Sequence, residues 1–239
     1  MIKEALKYII DISKPTIESI GGQVYSDKTL HRISHNPKAS PIKLNTLSSL
    51  MEYLKNGVDI STMPMFVHIQ SPTRVSVYSA LDADREREYL VEVNAQLPGF
   101  NFDSFIDHET FCINLQSKFI DSPDRALLLK FAGTVEAGSV AEYGDDGVSQ
   151  KATVKTGIAS KGEALVPSPV SLMPYRTFIE VPQPESKFIF RMKQDKYNNG
   201  IQCALFEADG GAWKIEAMLE IKAYIKDALG EFTNFTVIS

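Results

Sequence analysis

Two acidic residues precede a diglycine near the C-terminal end, in the run Glu207-Ala208-Asp209-Gly210-Gly211. Glycine reaches positive φ and lets the backbone approach closely, so the run fits a tight turn in which Asp209 caps the next helix. The same run also fits an anion-binding or contact loop at a helix N-terminus, beside Trp213 and Lys214. We favour the turn and keep the loop as the functional alternative.

A second candidate is Arg176, which stands between aromatic residues in Pro174-Tyr175-Arg176-Thr177-Phe178. Glu180 follows on the same face of a predicted strand, so the two side chains could form a structural ion pair. The guanidinium could equally serve as a fork that recognises a carboxylate or phosphate. The structural ion pair is the favoured interpretation.

Arg191 lies beside Phe188 and Phe190 in a later predicted strand, a composition typical of sheets that stack nucleic-acid bases. Side chains alternate between the faces of a strand, which places both Phe opposite Arg191. A core face with a solvated back therefore fits better. The candidate binding residues are Arg176, Glu180, Arg191, Glu207, Asp209, Gly210, Gly211, Trp213 and Lys214.

The sequence predicts no catalytic residues, no metal site and no cofactor, since it contains no GxGxxG, P-loop, HExxH, CxxC or GxSxG motif. Asp107-His108-Glu109 fits a solvated first turn of a helix. Asp145-Asp146-Gly147 fits a turn better than a calcium loop, because the later acidic ligands are absent. A hydrolase that uses Glu207 and Asp209 is the last alternative.

The composition of the chain indicates which classes of partner are expected. The net charge is −5, whereas proteins that grip nucleic acid usually carry a basic surplus, so nucleic acid is a disfavoured main partner. Cys112 and Cys203 fit reduced core thiols better than a disulfide. No apolar run approaches the roughly 20 residues that span a bilayer, and the N-terminus lacks a signal-peptide pattern. We therefore expect a cytoplasmic protein without a membrane partner.

The elements that must position these residues predict an α+β fold: a mainly antiparallel sheet with an αα-hairpin and a C-terminal helix packed on it. Residues 1–45 are predicted to form a helix and an extended arm, and residues 46–239 a single α+β domain. Helices are predicted from Leu47, over 102–119, from Pro123 and over 213–229. Strands are predicted at 65–69, 75–81, 89–93, 150–157, 177–181, 187–193, 201–206 and after Phe232.

Over roughly residues 45–230 the chain resembles the YfdQ-like (DUF2303) family of uncharacterised phage and prophage proteins. The resemblance rests on residues 174–178, Glu180, Gln183-Pro184, Ser186, 188–191 and 203–214, and more loosely on Phe105-Ile106, Glu109 and Phe111. It implies a mobile-element gene, often one associated with replication or recombination, and it implies no known activity and no catalytic residues.

We therefore expect a non-enzymatic phage or prophage accessory protein that acts by self-association and binding. It would be a homo-oligomer with a host or phage protein as a further partner. One alternative is a single-stranded DNA-binding or recombination-associated factor. The other is a counter-defence protein that sequesters a host enzyme or a nucleotide signal.

Overall fold

The computed structural model describes residues 2–30, 38–59, 63–135, 142–143, 150–155, 161–194, 200–230 and 234–239. The chain divides into two compact units, Met1–Lys38 and Ala39–Ser239, which we call the N-terminal unit and the C-terminal unit. The sequence pattern places this division at residues 45 and 46.

The N-terminal unit is a helix followed by a β-hairpin. Helix α1 covers Ile2–Ser13, and strands β1 (Ile17–Ile20) and β2 (Gln23–Ser26) pair antiparallel. Gly21 and Gly22 turn the chain with φ of 61° and 79°, values that favour glycine. The sequence predicts a helix and an extended arm for residues 1–45, and this diglycine instead makes a β-hairpin of part of that segment.

The C-terminal unit contains the remaining elements. In chain order they are β3 (Ile42–Leu44), α2 (Leu47–Asn56), β4 (Met65–Ser71), β5 (Arg74–Ser79), β6 (Tyr89–Asn94), β7 (Ile106–Asp107), α3 (His108–Lys118), α4 (Pro123–Thr134), β8 (Glu142–Tyr143), β9 (Gln150–Lys155), β10 (Lys161–Leu165), β11 (Val170–Leu172), β12 (Ser186–Gln194), β13 (Ile201–Glu207), α5 (Ala212–Leu229) and β14 (Phe235–Ile238).

The first sheet has the strand order β14-β4-β5-β6-β3. Its central pairs are antiparallel, while β14 and β3 join its two edges in parallel. Helices α2 and α5 cover one face, where Leu50, Val67, Val77 and Ile221 are fully buried. Alternation along β4 and β5 sends these apolar side chains inward and so defines this core.

The second sheet is antiparallel throughout, in the order β11-β12-β13-β7. The α3–α4 pair packs on it, and Phe111, Leu128, Phe188 and Phe190 are fully buried in a separate core. A smaller antiparallel sheet, β10-β9-β8, is attached through Gln150, whose side chain bonds both the N–H and the carbonyl of Met192.

The predicted α+β class, the αα-hairpin and the C-terminal helix are confirmed. The structure adds that the two helix pairs cover different sheets. The predicted starts of α2 and α4 are confirmed, and each has a side-chain cap. Thr46 accepts a hydrogen bond from the Ser49 N–H, and Ser122 accepts one from the Arg125 N–H. Gly57 ends α2 in the left-handed region, with φ of 65°.

Two predicted elements are wrong. The predicted strand at 177–181 is irregular backbone, because the N–H groups of Arg176 and Thr177 bond the Gln183 side chain instead of a neighbouring strand. Helix α3 begins at His108 rather than near residue 102, since Ile106 pairs with β13. The predicted turn at Asp145-Asp146-Gly147 lies outside the described residues.

Candidate functional site

The Arg176 side chain lies where β12 begins and β13 ends. Only 7% of it is exposed, and its Nη1 donates to Glu207 Oε1 at 2.9 Å. Its Nη2 donates to Ser186 Oγ, and Ser186 Oγ in turn donates to Asp209 Oδ2 at 2.7 Å. Together with Trp213 these residues form what we call the arginine cluster.

Aromatic rings enclose the Arg176 guanidinium. Its central carbon lies 4.0 Å from the centre of the Trp213 ring and 5.6 Å from that of Phe188, both within the range of a cation–π interaction. Arg176 Nε and Trp213 Nε1 are buried without a hydrogen-bond partner in the described part of the chain. The two rings therefore lie close to the guanidinium carbon, while the terminal nitrogens are paired.

Arg176 and Asp209 stay charged although desolvation favours their neutral forms. Desolvation lowers the pKa of Arg176 to about 10, and the Glu207 and Asp209 carboxylates oppose that shift. Desolvation alone would raise the pKa of Asp209, but hydrogen bonds from Ser186 and Gly211 and the Arg176 charge lower it below its ordinary value. Both groups are therefore charged near neutral pH, as an internal ion network requires.

The diglycine forms the turn into α5. Gly210 and Gly211 have φ of 63° and 81°, and Asp209 Oδ1 accepts from the Gly211 N–H at 2.9 Å. The Asp209 carboxylate lies at the positive end of the α5 dipole, where a negative charge is stabilising. An external anion at this helix N-terminus would have to displace that carboxylate.

Three predicted residues lie outside the cluster. Glu180 accepts from the backbone N–H and the hydroxyl of Ser48, at 3.2 and 3.0 Å, at the start of α2. It is therefore a helix-terminus partner, while the acidic partner of Arg176 is Glu207. Arg191 donates to Ser168 Oγ and to the Phe190 carbonyl, and Lys214 Nζ lies 5.9 Å from the centre of the Trp213 ring.

Sequence reasoning from spacing and chemistry missed Gln183 as an organiser of the cluster. Its buried side-chain oxygen accepts from the N–H groups of Arg176 and Thr177. Its amide nitrogen donates to the carbonyls of Thr177, Phe178 and Val181. Two flanking prolines make Gln183 look like part of a linker.

A second pair of reactive residue types lies on α3. Cys112 Sγ is 3.7 Å from His108 Nε2, and that nitrogen is 2.8 Å from the Ala132 carbonyl oxygen. A carbonyl accepts only from an N–H, so Nε2 carries the proton and cannot take one from the thiol. Burial also raises the pKa of Cys112. This geometry leaves the thiol unactivated, and both cysteines are free.

The arginine cluster can position the chain segments it connects, but the lowered pKa of Asp209 is opposite to the raised pKa expected of a general acid. Within the described ranges, no group of three or more His, Cys, Asp or Glu side chains is placed to hold a metal ion. In the same ranges, no helix combines the length and apolar character needed to cross a membrane. Comparison with protein-family models, curated proteins and solved structures found no match.

Proposed function

We propose that the chain is a phage or prophage accessory protein that works by self-association through its N-terminal unit, without catalysis. One observation carries the proposal: the large apolar side chains of α1 and of its hairpin are exposed, from Ile2 at 81% to Tyr25 at 51%. No residue of α1, β1 or β2 is buried. Apolar surface exposed on this scale is typical of interaction sites.

Helix α1 is strongly amphipathic. The apolar residues Ile2, Leu6 and Ile9 recur at spacings of four and three, so they share one face of the helix. The charged residues fall on the opposite side, within an arc of about 100° at 100° per residue. This pattern is typical of a helix that packs its apolar face against another surface.

The joint between helix and hairpin is polar. The Lys28 ammonium donates to the Lys14 carbonyl at 3.0 Å, and the Thr16 N–H donates to Asp27 Oδ1 at 2.7 Å. The unit is therefore held by polar contacts while its apolar residues point outward. A helix of this length and an isolated two-stranded hairpin are each marginal in water, so cover from a partner would stabilise both.

The properties of α1 favour a second copy of the chain as that partner. Lys3 and Lys7 balance Glu4 and Asp11, so the helix has no net charge, which gives it no attraction to anionic lipid. The two-strand hairpin also leaves strand edges with backbone groups available to a neighbouring copy.

Light scattering on the full chain after size-exclusion chromatography tests the proposal. We expect an oligomer at micromolar concentration, and a shift toward monomer when Leu6→Gln and Ile9→Gln are combined. The matched control is Lys7→Gln, which places the same side chain on the polar face and should keep the oligomer, since exposed charge pairs contribute only about 0–1 kcal/mol. A monomeric wild type, or a double variant with unchanged mass, would contradict the proposal.

A further inference from the structure

A cavity of about 280 Å³ opens at the β3–β6 edge of the first sheet. Its wall includes Tyr53 of α2, Tyr89 of β6, Asp59 and Glu88, and the Tyr89 ring itself packs on Tyr78 at 5.2 Å between ring centres. The remaining lining residues, within 39–42 and at position 90, are small or apolar. Among the residues that the structure describes, no lysine, arginine or histidine lines it. Two carboxylates and the Tyr53 ring thus share one pocket, and the described part of its wall holds no basic residue.

The polar groups of this cavity are only partly used within the chain. The Tyr53 hydroxyl donates to Asp59 Oδ2 at 3.1 Å, which fixes one carboxylate against one ring. The half-buried Glu88 carboxylate has no hydrogen-bond or ion-pair partner among the described residues. A partly desolvated carboxylate is stabilised by a cation, and the cavity leaves room for one to enter.

We propose that this cavity binds an organic cation, an ammonium or guanidinium group carried on an apolar stem. The carboxylates of Asp59 and Glu88 pair with the charge, the Tyr53 ring attracts it through its negative face, and the small apolar residues contact the stem. The cavity lies just below the usual range of ligand-pocket volumes, so it suits no more than one side-chain-sized group. Two sources share this chemistry: a free polyamine, and a lysine or arginine of a partner protein.

The electrostatics of Tyr53 agree with this assignment. Its pKa is raised to about 12, by burial first and then by the hydrogen bond and charge of Asp59 and the charge of Glu88. Both carboxylates therefore act on the same point of the wall, and the hydroxyl there stays neutral at physiological pH. A negative potential focused in a cleft raises the local concentration of cations.

Calorimetric titration of the full chain tests the inference with spermidine in one arm, and N-acetyl-lysine and N-acetyl-arginine methylamides in the other. N-acetyl-norleucine methylamide is the neutral probe of similar shape. We expect the wild type to bind at least one of the cations and not to bind the neutral probe. In Glu88→Gln the affinity for the cation should fall about tenfold, which corresponds to about 1.4 kcal/mol of binding free energy. Asp59→Asn should weaken binding in the same direction.

Glu52→Gln is the matched control, because Glu52 adjoins Tyr53 in sequence, is exposed and lies outside the cavity lining. Its affinity should equal that of the wild type. Binding of spermidine alone identifies a free polyamine, and binding of the amino-acid cations identifies a protein-borne side chain. No cation binding, or equal affinity in Glu88→Gln and Glu52→Gln, would overturn the inference.

Discussion

The guanidinium carbon of Arg176 lies 4.0 Å above the Trp213 ring, and this stack connects the two sheets of the C-terminal unit. Trp213 belongs to the first turn of α5, whose buried face packs on the first sheet. The hydrogen-bond partners of the guanidinium, Ser186 and Glu207, are the terminal residues of β12 and β13 in the second sheet. Arg176 therefore ties the end of one sheet to the helix that covers the other.

The chain around Arg176 makes the same connection through its own contacts. Thr177 Oγ1 donates to the Pro72 carbonyl, in the turn between β4 and β5, at 2.6 Å. The next residue, Phe178, is buried in the core of the first sheet. On the other side, the Tyr175 N–H donates to the Lys118 carbonyl at the end of α3. We conclude that residues 174–183 form a structural bridge between the two cores.

Arg176→Met should destabilise the C-terminal unit by about 2–3 kcal/mol, because Ser186 and Glu207 lose a charged donor and Trp213 loses its stacked cation. The estimate stays below the range for a fully buried ion pair, since 29% of the Glu207 side chain is exposed. The stability of Arg176→Lys should lie between that of the wild type and that of Arg176→Met. Lysine keeps the charge but cannot reach both acceptors in the guanidinium geometry.

Urea denaturation checks this prediction with Trp213, the only tryptophan of the chain, as the fluorescent reporter. Lys187→Met is the control, since Lys187 is exposed on β12 and points away from the buried face. The control should unfold like the wild type. If Arg176→Met unfolded at the same urea concentration as the wild type, the bridging role of Arg176 would be refuted.

Gln183→Glu should destabilise the same bridge at neutral pH. The Gln183 amide nitrogen donates to three carbonyls, and a carboxylate can donate to none of them. The substitution therefore buries a negative charge against carbonyl oxygens, at a cost of about 2–4 kcal/mol. Burial raises the folded-state pKa of such a carboxyl, so protonation on acidification should recover part of the loss.

The measurement is the difference in unfolding free energy between Gln183→Glu and the wild type at pH 7 and pH 5. We expect this difference to shrink at the lower pH, because a protonated carboxyl again offers one donor. Gln116→Glu, at an exposed position of α3, should show no comparable change. A difference that is constant with pH would mean that the introduced carboxylate is solvated and that the Gln183 bonds are dispensable.

The sequence predicted those elements whose signals are local. A cap, an apolar stripe and a stop define α2, and Ser122 with Pro123 marks the start of α4. The prediction of a helix over 213–229 is confirmed, although Trp213, Ile215 and Ala217 also alternate like the residues of a strand. Buried Ala217, Ile221 and Ile225 pack along one side against the first sheet, and this tertiary burial decides between the two patterns.

The sequence could not predict how separate segments meet. It identified Arg176, Glu207, Asp209 and Trp213 as candidates, and the structure brings all of them together. It assigned Arg176 a different acidic partner, Glu180, because sequence proximity in a supposed strand was the only guide. The bonds of Gln183 fold residues 176–183 into a compact loop instead, and such side-chain-to-backbone bonds leave no periodic signal.

The acid dependence of stability should report the Asp209 carboxylate. Its folded-state pKa lies below the ordinary value of 3.8, so the folded chain binds fewer protons there than the unfolded chain. The stabilisation by the Asp209 charge is therefore complete at a pH above the unfolded-state pKa. It is lost as the pH falls through the lower folded-state pKa. Asp209→Asn removes the charge that faces Arg176 and the start of α5, so it should lower the stability at pH 6.

The stability difference between the wild type and Asp209→Asn should narrow as the pH falls below about 4, because the wild-type carboxyl is then protonated and uncharged. Urea titrations of both proteins between pH 6 and pH 3 measure the deficit directly. Asp227→Asn is the control, since Asp227 is exposed near the other end of α5, where a negative charge is unfavourable to the helix dipole. A deficit that stayed constant down to pH 3 would show that hydrogen-bond geometry at Asp209, and not its charge, stabilises the turn.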